Sequence, residues 1–336
     1  MTILVTGGCG YIGSHTITLL LKYGYDVVAL DNLCNSELSV ISKIESLCGK
    51  SIKFVEGDIR DRKLLKTIFR NYEIKAVIHF AGLKSVGESS EQPIEYYDVN
   101  VAGTLSLLSV MKTAGCNKIV FSSSATVYGD SSIVPIKECF PLSSNNPYGA
   151  SKLVVENILS EISKTDPERS TAILRYFNPI GAHASGLIGE NPKGTPNNLV
   201  PYIARVAAGV YEKVLVFGDD YPTHDGTGVR DYVHVMDLAR GHIKALEVIL
   251  DRAGVIKVNL GTGQGFSVLD VILAFEQVSG VIIPYEIVAR RLGDIGECYA
   301  DAAYASEVLG WRAEFDLLKM CEDTWLWEQL SQSSRI

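Results

Sequence analysis

The sequence of 336 residues has no apolar run as long as a membrane span, and residues 1–2 lead directly into a strand-like segment, Ile3-Leu4-Val5. We therefore expect neither a membrane-spanning helix nor a secretory signal. Basic residues are in the minority, since 31 lysines and arginines against 39 aspartates and glutamates give a net charge of −8. That balance argues against a nucleic-acid-binding protein, which needs a basic face. With 47% hydrophobic residues and 30 glycines, the rest of the composition is typical of a globular protein.

The seven cysteines never form a Cys-x-x-Cys pair, and they are odd in number and widely scattered. A disulfide framework or a zinc site is therefore not expected. No two histidines have the spacing of metal ligands, so the sequence predicts no metal. Reduced thiols that fill space are typical of cytoplasmic proteins, and we expect this protein in the cytoplasm.

Short apolar, β-branched segments alternate with helical patterns in the first half of the chain. We predict strands at 2–6, 26–31, 52–57, 75–80, 117–122 and 171–176. We predict helices at about 11–23, 61–71, 93–114 and 147–164. Several strands are almost wholly apolar, as strands covered on both faces are. This alternation predicts an α/β fold, namely a Rossmann-type, doubly wound parallel sheet with right-handed crossovers.

After about residue 177 the alternation fades, and stretches rich in glycine, proline and asparagine separate shorter elements. We assign residues 1–177 to the sheet domain and 178–336 mainly to a smaller α/β region. The two are not expected to be independent, because 226–262 contains a buried strand pattern at 255–260 that returns to the first domain. Ser267 is placed to cap the helix that follows.

A glycine-rich loop directly follows the first predicted strand, in the order Thr6-Gly7-Gly8-Cys9-Gly10-Tyr11-Ile12-Gly13-Ser14. Its glycines permit the tight turn, let the backbone approach a pyrophosphate and let the helix pack closely on the strand. Asp31 ends the second strand near the expected distance, where a carboxylate suits a ribose diol and repels a 2′-phosphate. The segment therefore predicts a dinucleotide site that favours NAD over NADP.

Two further strand ends point to the same crevice. Asp58 ends the third strand and suits contact with an adenine amino group, although a helix cap is the alternative. Phe80-Ala81-Gly82 ends the fourth strand, where small residues let a ligand approach.

Tyr148 and Lys152 lie four residues apart at the start of a predicted helix, and therefore on one face. A nearby ammonium stabilises a phenolate, which makes tyrosine usable as a general base near neutral pH. Ser122-Ser123-Ser124 closes the fifth strand and brings hydroxyls to the carboxyl edge of the sheet. Ser124 is placed there to hold a substrate hydroxyl and to share its proton with Tyr148.

Taken together, these motifs resemble the extended short-chain dehydrogenase/reductases and, within them, the UDP-galactose (UDP-glucose) 4-epimerases. The resemblance covers nearly the whole chain, with its specific segments at 5–15, 31–36, 121–129, 175–179 and 226–232. It implies that NAD stays bound and is recycled while a UDP-hexose is inverted at C4. Tyr148 would take the proton of the sugar 4-hydroxyl as C4 gives hydride to NAD. The 4-keto sugar would then rotate and take the hydride back on its other face.

The resemblance also implies roles for single residues. Lys152 would lower the proton affinity of Tyr148 and contact the nicotinamide ribose, and Ser124 would orient the reacting hydroxyl. Lys84 would help to hold the cofactor diphosphate. The implied cofactor set is Gly7, Gly10, Tyr11, Ile12, Gly13, Asp31, Asn32, Asn35, Ser36, Asp58, Ile59, Phe80, Ala81, Gly82, Lys84, Asn100, Tyr148, Lys152 and Phe177. Next to Asn100 stands Val99, where some relatives carry asparagine.

A UDP-sugar is the partner that the resemblance implies for the C-terminal region. The implied substrate set is Lys84, Ser124, Tyr148, Asn178, Asn198, Leu199, Leu215, Phe217, Arg230, Tyr232, Arg291, Asp294 and Cys298. Arg230 and Arg291 would grip the diphosphate, because guanidinium groups make planar bidentate contacts. Without the family, Arg230-Asp231 and Arg291 with Asp294 are equally well explained as surface ion pairs. His79 lies inside a buried strand and is predicted to be a core histidine.

Cys298 falls at the position that gates the sugar pocket in the family. Relatives with tyrosine there resemble enzymes confined to glucose and galactose, whereas relatives with a small side chain also admit 2-acetamido sugars. A thiol in place of a phenol ring leaves room for an N-acetyl group. We therefore expect interconversion of UDP-GlcNAc and UDP-GalNAc as well as of UDP-glucose and UDP-galactose.

Three alternatives remain open from the sequence. A 4,6-dehydratase or decarboxylase of the superfamily carries an acid after the strand-five serine or threonine, and here Ala125-Thr126 follows Ser124. A nucleotide-sugar reductase would share Tyr148 and Lys152 but release its cofactor. A catalytically silent NAD-sensing module would be expected to have lost one of those two residues. The family also implies a homodimer through the helices near 93–114 and 147–164.

Overall fold

Seven parallel strands form the central sheet of the computed structural model, which describes residues 1–131, 133–196, 198–291 and 294–333. In chain order the strands are β1 Thr2–Thr6, β2 Asp26–Asp31, β3 Lys53–Glu56, β4 Ile74–His79, β5 Lys118–Ser124, β6 Ser170–Tyr176, β7 Asn178–Ile180, β8 Val214–Phe217, β9 Val229–Arg230, β10 Tyr232–His234, β11 Gly254–Leu260, β12 Phe266–Ser267, β13 Tyr285–Val288 and β14 Glu297–Cys298. The order across the central sheet is β11-β6-β5-β4-β1-β2-β3. All neighbouring pairs in it are parallel, so the predicted doubly wound sheet is confirmed.

Helices cover both faces of this sheet. They are α1 Tyr11–Lys22, α2 Ser39–Cys48, α3 Arg62–Asn71, α4 Val86–Glu91, α5 Pro93–Tyr97, α6 Gly103–Thr113, α7 Pro147–Thr165, α8 Leu199–Ala207, α9 Val235–Asp251, α10 Val268–Ser279, α11 Ala303–Leu309 and α12 Leu317–Ser333. In the part of the chain that the structure describes, no helix combines the length and the apolar character needed to cross a membrane.

Alternate residues of the strands enter two separate cores, because successive side chains of a strand point to opposite faces. Ile3 and Val5 of β1 enter a core formed with α1 and α9. Leu4 enters a core formed with α3, α6 and α7. Burial on both faces explains why these strands read as continuous apolar runs in the sequence.

The helix ends follow local sequence signals. Ser267 caps α10, and the Ser267 and Asp270 side chains form a capping box, as predicted for Ser267. Asn146 caps α7 by accepting a hydrogen bond from the Gly149 N–H at 2.8 Å, and Pro147 is the first residue of that helix. The start of α7, and with it the predicted Tyr–Lys pair, is therefore set locally.

The second half of the chain builds a smaller unit beside the carboxyl edge of the sheet. Its short strands pair as β7 with β10, β9 with β12 and β14, and β8 with β13. Helices α8, α10 and α12 share a separate apolar core. Strand β11 returns to the central sheet next to β6, which confirms the strand predicted at 255–260.

The structure departs from the predicted helices in two respects. The helix predicted at 93–114 is divided into α5, a π-helical turn at Asp98–Ala102, and α6. Helices α2 and α4 lie where the sequence pattern predicts none. Both carry local signals that the prediction did not use, because Gly49 in the left-handed region ends α2 and Ser85 caps α4 by accepting from the Glu88 N–H.

Candidate active site

A cavity of about 680 Å³ opens at the carboxyl ends of β1, β2, β4 and β5. It lies where the strand order reverses beside β1, which is where doubly wound sheets bind ligands. Apart from Asn100, the whole predicted cofactor set lines it. The predicted substrate residues that also line it are Lys84, Ser124, Tyr148, Asn178, Asn198, Arg230, Asp294 and Cys298. The fold thus brings nearly all of the cofactor set and the larger part of the substrate set to one cavity.

The glycine loop between β1 and α1 forms a cradle that side chains would fill. A Cβ on Gly7, whose φ is +69°, would lie 2.8 Å from the Ala81 backbone nitrogen. A Cβ on Gly13 would lie 2.2 Å from the Gly7 carbonyl oxygen. Gly10 is the N-cap residue of α1 and has no side chain that could accept from the first N–H groups of the helix. The first turn of α1 also contains no acidic residue. Its free N–H groups and positive dipole end therefore suit a phosphate.

Asp31 is held at the end of β2 by the loop that follows it. One carboxylate oxygen, Oδ2, accepts from the Cys9 N–H at 2.9 Å, and Oδ1 accepts from the Leu33 N–H at 2.9 Å and the Ser36 hydroxyl at 2.7 Å. Leu33 has a φ of +56°, in the left-handed region that a branched residue rarely adopts. This arrangement fixes the carboxylate against the cavity, where a ribose diol can donate to it.

Asp58 also faces the cavity and does not cap a helix. The N-cap of α3 is Asp61, which accepts from the backbone N–H groups of Lys63 and Leu64. Hydrogen bonding to Arg60 holds the pKa of Asp58 below its usual range. The helix-capping alternative for Asp58 is therefore wrong. The cradle, Asp31 and Asp58 together fit a dinucleotide.

Asn100 lies behind the cavity wall. Its side chain is buried and exchanges two hydrogen bonds with the backbone of Leu83, at 2.8 and 3.1 Å. It also donates to the Ser151 hydroxyl at 2.9 Å. Asn100 thus ties the loop after β4 to α7, and it supports the cofactor site from outside.

Tyr148, Lys152 and Ser124 meet where β5 ends and α7 begins. Lys152 Nζ donates to the Ser122 carbonyl at 2.9 Å and lies 5.9 Å from the centre of the Tyr148 ring. Burial lowers the pKa of Lys152 to about 8. The Ser124 hydroxyl oxygen accepts from the Thr126 N–H at 3.2 Å and its hydroxyl at 3.0 Å, which orients it.

Opposing effects act on the phenol of Tyr148. Burial raises the pKa of Tyr148, whereas its hydrogen bond with Ser124 and the charge of Lys84 lower it. Lys84 is thus one cation that favours the phenolate, and the Lys152 ammonium lies 5.9 Å from the centre of the same ring. The role that the family resemblance implies for Lys152, to lower the proton affinity of Tyr148, stays a prediction.

The opposite wall is formed by β9 and β14, where Arg230 and Cys298 are paired neighbours. Arg230 Nη1 donates to the Val229 carbonyl at 2.9 Å. Asp231 is fully buried and accepts hydrogen bonds from the backbone of Thr262, Gly263 and Ala300. Burial raises the pKa of Asp231.

Arg291 follows β13 and lies outside the cavity lining. Its guanidinium carbon is 3.7 Å from the centre of the Phe217 ring, and the Asp294 N–H donates to the Arg291 carbonyl at 3.2 Å. Neither Arg230 with Asp231 nor Arg291 with Asp294 is a salt bridge within the described ranges, so the ion-pair alternative is not realised. The predicted substrate residues that do not line the cavity are Leu199, Leu215, Phe217, Tyr232 and Arg291.

His79 is a core residue, as predicted. Its ring nitrogens are bonded to the hydroxyls of Thr6 at 2.7 Å and Thr104 at 2.9 Å. Burial lowers the pKa of His79 to about 3, so the ring is neutral near pH 7.

A group of possible metal donors, His224, Asp225 and Asp270, stands outside the cavity lining. Both carboxylates already accept hydrogen bonds from Ser267.

Sequence reasoning missed Glu190, which lines the cavity and pairs with Lys84 at 2.8 Å. It belongs to a stretch rich in glycine and asparagine that carries no pattern of its own. The buried pair of Glu156 and Arg175, 2.6 Å apart beneath the site, was missed as well. For Glu156 there was a signal, since it follows Lys152 by four residues and so lies on the same face of α7.

Comparisons with known proteins agree with this geometry. A family model described as GDP-mannose 4,6 dehydratase matches residues 4–324. The UDP-glucose 4-epimerase of Haemophilus influenzae is 58% identical over 330 residues, which cover 98% of each chain. The solved UDP-glucose 4-epimerase of Stenotrophomonas maltophila, with bound NAD and formylated UDP-arabinopyranose, is 52% identical with a TM-score of 0.98, over 99% of each chain. The UDP-Glc/GlcNAc 4-epimerase of Campylobacter jejuni is 37% identical with a TM-score of 0.86, over 98% of this chain and 99% of that one.

Proposed function

This chain belongs to the UDP-glucose 4-epimerase family of the extended short-chain dehydrogenase/reductases, and from that premise we propose that it interconverts UDP-glucose and UDP-galactose as an NAD-dependent isomerase. The observation that carries the proposal is a shared cavity. Ser124, Tyr148 and Lys152 line the same space as the glycine cradle and Arg230. A base, a dinucleotide site and a cation for a diphosphate therefore surround one substrate.

The cofactor half of the site is assigned to the loop after β1 and the end of β2. Bound NAD supplies a hydride acceptor that can return the hydride to the same carbon. The cradle of Gly7, Gly10 and Gly13 would hold its pyrophosphate, and Asp31 would accept from the adenosine ribose. Lys152 would donate to the nicotinamide ribose.

The proton is handled by Tyr148. Ser124 holds the sugar 4-hydroxyl against the phenol, and Tyr148 as phenolate removes its proton. Lys84 favours that phenolate through its charge. Lys152 has a pKa of about 8 and is therefore largely cationic at pH 7, which adds positive charge beside the ring. The tyrosine then returns the proton when the sugar is reduced again.

Purified protein incubated with UDP-galactose and no added cofactor tests this function directly. Proton NMR is expected to show UDP-glucose and no net nicotinamide turnover. Tyr148→Phe is expected to lose roughly a hundredfold or more of the rate, as removal of a general base does. Tyr285→Phe, at a half-exposed tyrosine, is the matched control and keeps the wild-type rate.

Other products would identify the rival functions. A 4-keto-6-deoxy sugar as product would identify a dehydratase. Net consumption of reduced nicotinamide would identify a reductase, and the absence of any reaction would identify a silent NAD-binding module. The surroundings of Ser124 argue against the dehydratase, whose name the matching family model carries. The position after Ser124 is Ala125, and Thr126 offers Ser124 a hydroxyl rather than a carboxylic acid.

UDP-GlcNAc and UDP-GalNAc form a second substrate pair. Cys298 supports it, because this small, partly buried residue lines the cavity next to Arg230. The Campylobacter jejuni neighbour is named for both UDP-Glc and UDP-GlcNAc. Cys298→Tyr is expected to abolish turnover of the acetamido sugars and to spare UDP-galactose. Equal activity of the variant on both pairs would contradict this assignment.

A homodimer, a cytoplasmic location and the domain division belong to the same proposal. Exposed apolar side chains on α5, α6 and α7 support a dimer through these helices, namely Ile94, Tyr97, Leu105 and Val154. Sedimentation of the wild type against Leu105→Asp tests it, with dissociation expected for the variant.

All seven cysteines lie in described residues and are free thiols, as in a reducing compartment. Residues 1–177, with 226–262, form the NAD-binding domain, and 178–336 mainly bind the nucleotide sugar.

A further inference from the structure

Glu190 joins three parts of the molecule at the edge of the cavity. Its Oε1 atom accepts from Lys84 Nζ at 2.8 Å and from Asn198 Nδ2 at 2.9 Å. Its backbone carbonyl accepts from the indole N–H of Trp327 at 3.1 Å. Lys84 follows β4 in the sheet domain, Asn198 is the N-cap of α8, and Trp327 lies on α12. One carboxylate therefore links the cofactor side of the site to the substrate side.

The segment that carries Glu190 is fastened independently of Lys84. Asn191 Nδ2 donates to Glu37 Oε1 at 3.1 Å. Lys193 Nζ donates to the Leu33 carbonyl at 2.8 Å. These contacts hold the segment against the loop after β2. Glu190 is thus a fixed anchor, whereas Lys84 has a flexible four-carbon stem and a half-exposed side chain.

The second carboxylate oxygen of Glu190 shows that packing alone does not explain the residue. The side chain is only 8% exposed, and Oε2 is buried with no hydrogen-bond partner among the residues that the structure describes. A buried carboxylate oxygen without a partner opposes folding. An apolar side chain would avoid that cost, but it would lose the hydrogen bonds that Oε1 accepts from Lys84 and Asn198.

We propose that Glu190 is a positioning residue of the reaction, which holds the Lys84 ammonium beside Tyr148 and orders Asn198 at the substrate. This inference rests on the proposed epimerase function. It assigns no contact between Glu190 and the reacting atoms. Glu190 acts through Lys84, whose ammonium has three donors and keeps some for a ligand after pairing.

The electrostatics of the site agree with the pairing of Lys84 and Glu190 and with the cavity that Lys84 and Tyr148 both line. Glu190 raises the pKa of Lys84, so the lysine stays cationic throughout the working pH range. The charge of Lys84 in turn lowers the pKa of Tyr148. The other titratable groups around these contacts are Tyr11 from α1, Lys152 from α7 and Tyr176 from β6.

The pH dependence of kcat for UDP-galactose in the Glu190→Gln variant tests the inference. Without the charge of Glu190, the Lys84 ammonium is expected to move away from the Tyr148 phenol, so the pKa of Tyr148 rises. The acid limb of the pH profile of kcat then moves to higher pH. Because the phenolate fraction falls tenfold per pH unit below the pKa, a shift of about one unit lowers kcat at pH 7 roughly tenfold. Glu190→Asp keeps the charge one methylene farther away, and its limb is expected between those of the wild type and Glu190→Gln.

The double variant with Lys84→Met separates positioning from a general structural role. Lys84→Met alone is expected to shift the acid limb by as much as Glu190→Gln does. The double variant is expected to show the same shift as Lys84→Met, because Glu190 acts only through Lys84. Glu247→Gln, which breaks the surface pair with Lys244 on α9, is the control and keeps the wild-type profile.

Each outcome decides between the two proposals. A wild-type protein without epimerase activity would remove the proposed function itself. An active wild type with an unmoved limb in Glu190→Gln, or a further shift in the double variant, would overturn the role of Glu190 alone. A rise in KM with an unmoved limb would likewise reduce Glu190 to a structural residue. If Glu190→Gln does not fold, Glu190→Asp tests the inference instead. An acid limb of Glu190→Asp at the wild-type pH would contradict the role of Glu190.

Discussion

Replacing Lys152 by methionine separates the contribution of this residue to catalysis from its effect on stability. Lys152 is 5% exposed, and burial lowers its pKa from 10.5 to about 8. Methionine has a similar length and no charge, so it fits the same space. We expect the variant to lose roughly a hundredfold or more of the epimerase rate, because one of the two cations near Tyr148 is gone.

The stability of the same variant has a defined dependence on pH. Below pH 8 the ammonium is charged in both states, and the folded protein bears the full cost of burying it. Between about 8 and 10.5 the folded protein releases a proton that the unfolded chain keeps, so wild-type stability rises with pH. The shift is worth about 3 kcal/mol in total, of which about 2 kcal/mol appears between pH 7 and 9.5.

Urea unfolding of both proteins at pH 7.0 and 9.5, with the same excess of NAD, measures this difference. The stability of Lys152→Met relative to the wild type is expected to fall by about 2 kcal/mol between the two pH values. The lost hydrogen bond to the Ser122 carbonyl is the same at both, so it cancels. Lys244→Met, at a half-exposed lysine, is the control and should move by well under about 1 kcal/mol. A relative stability that does not change with pH would refute the reasoning.

Three further predictions concern the cradle and the core. Gly13→Ala is expected to lower NAD affinity at least roughly tenfold, measured by titration calorimetry, because its Cβ meets the Gly7 carbonyl at 2.2 Å; Gly87→Ala, in open space, is the control. Glu156→Gln leaves the buried Arg175 charge uncompensated and should lower the free energy of unfolding by about 3–5 kcal/mol, with partial recovery when Arg175→Met is added; a loss under about 1 kcal/mol would contradict this. His79 has a folded pKa of about 3, below its unfolded value of 6.5, so its contribution to stability is lost as pH falls from 6.5 toward 3. His79→Gln should flatten acid unfolding in that range, and an unchanged slope would count against the neutral core histidine.

The strands were the most predictable part of the fold. Those of the central sheet were located within one or two residues, because apolar β-branched runs bounded by turn residues are a local signal. The broken helix at 93–113 was not predicted, since a π-helical turn has no marker in apolar periodicity. The same turn places Asn100 behind the cavity, where it ties Leu83 to α7.

At the site, residues were easier to predict than their partners. The cavity gathers Asp31, Tyr148 and Cys298 from distant parts of the chain, as the strand ends and the family resemblance indicated. The partners of charged groups were not evident. Asp231 accepts from backbone N–H groups instead of pairing with Arg230, because β9 and the loop after β11 enclose it.

The sequence by itself determined the parallel sheet, the glycine cradle and the shared helix face of Tyr148 and Lys152. Each depends on residues only a few positions apart, where strand alternation, loop spacing and helical repeat are direct consequences of backbone geometry. Only the tertiary structure brought Lys84 into play as a further cation acting on Tyr148 and decided what holds Lys84. Lys84 and Glu190 are 106 positions apart and meet only because the C-terminal region packs over the carboxyl edge of the sheet. Electrostatic effects depend on distance in space, and sequence spacing does not record it.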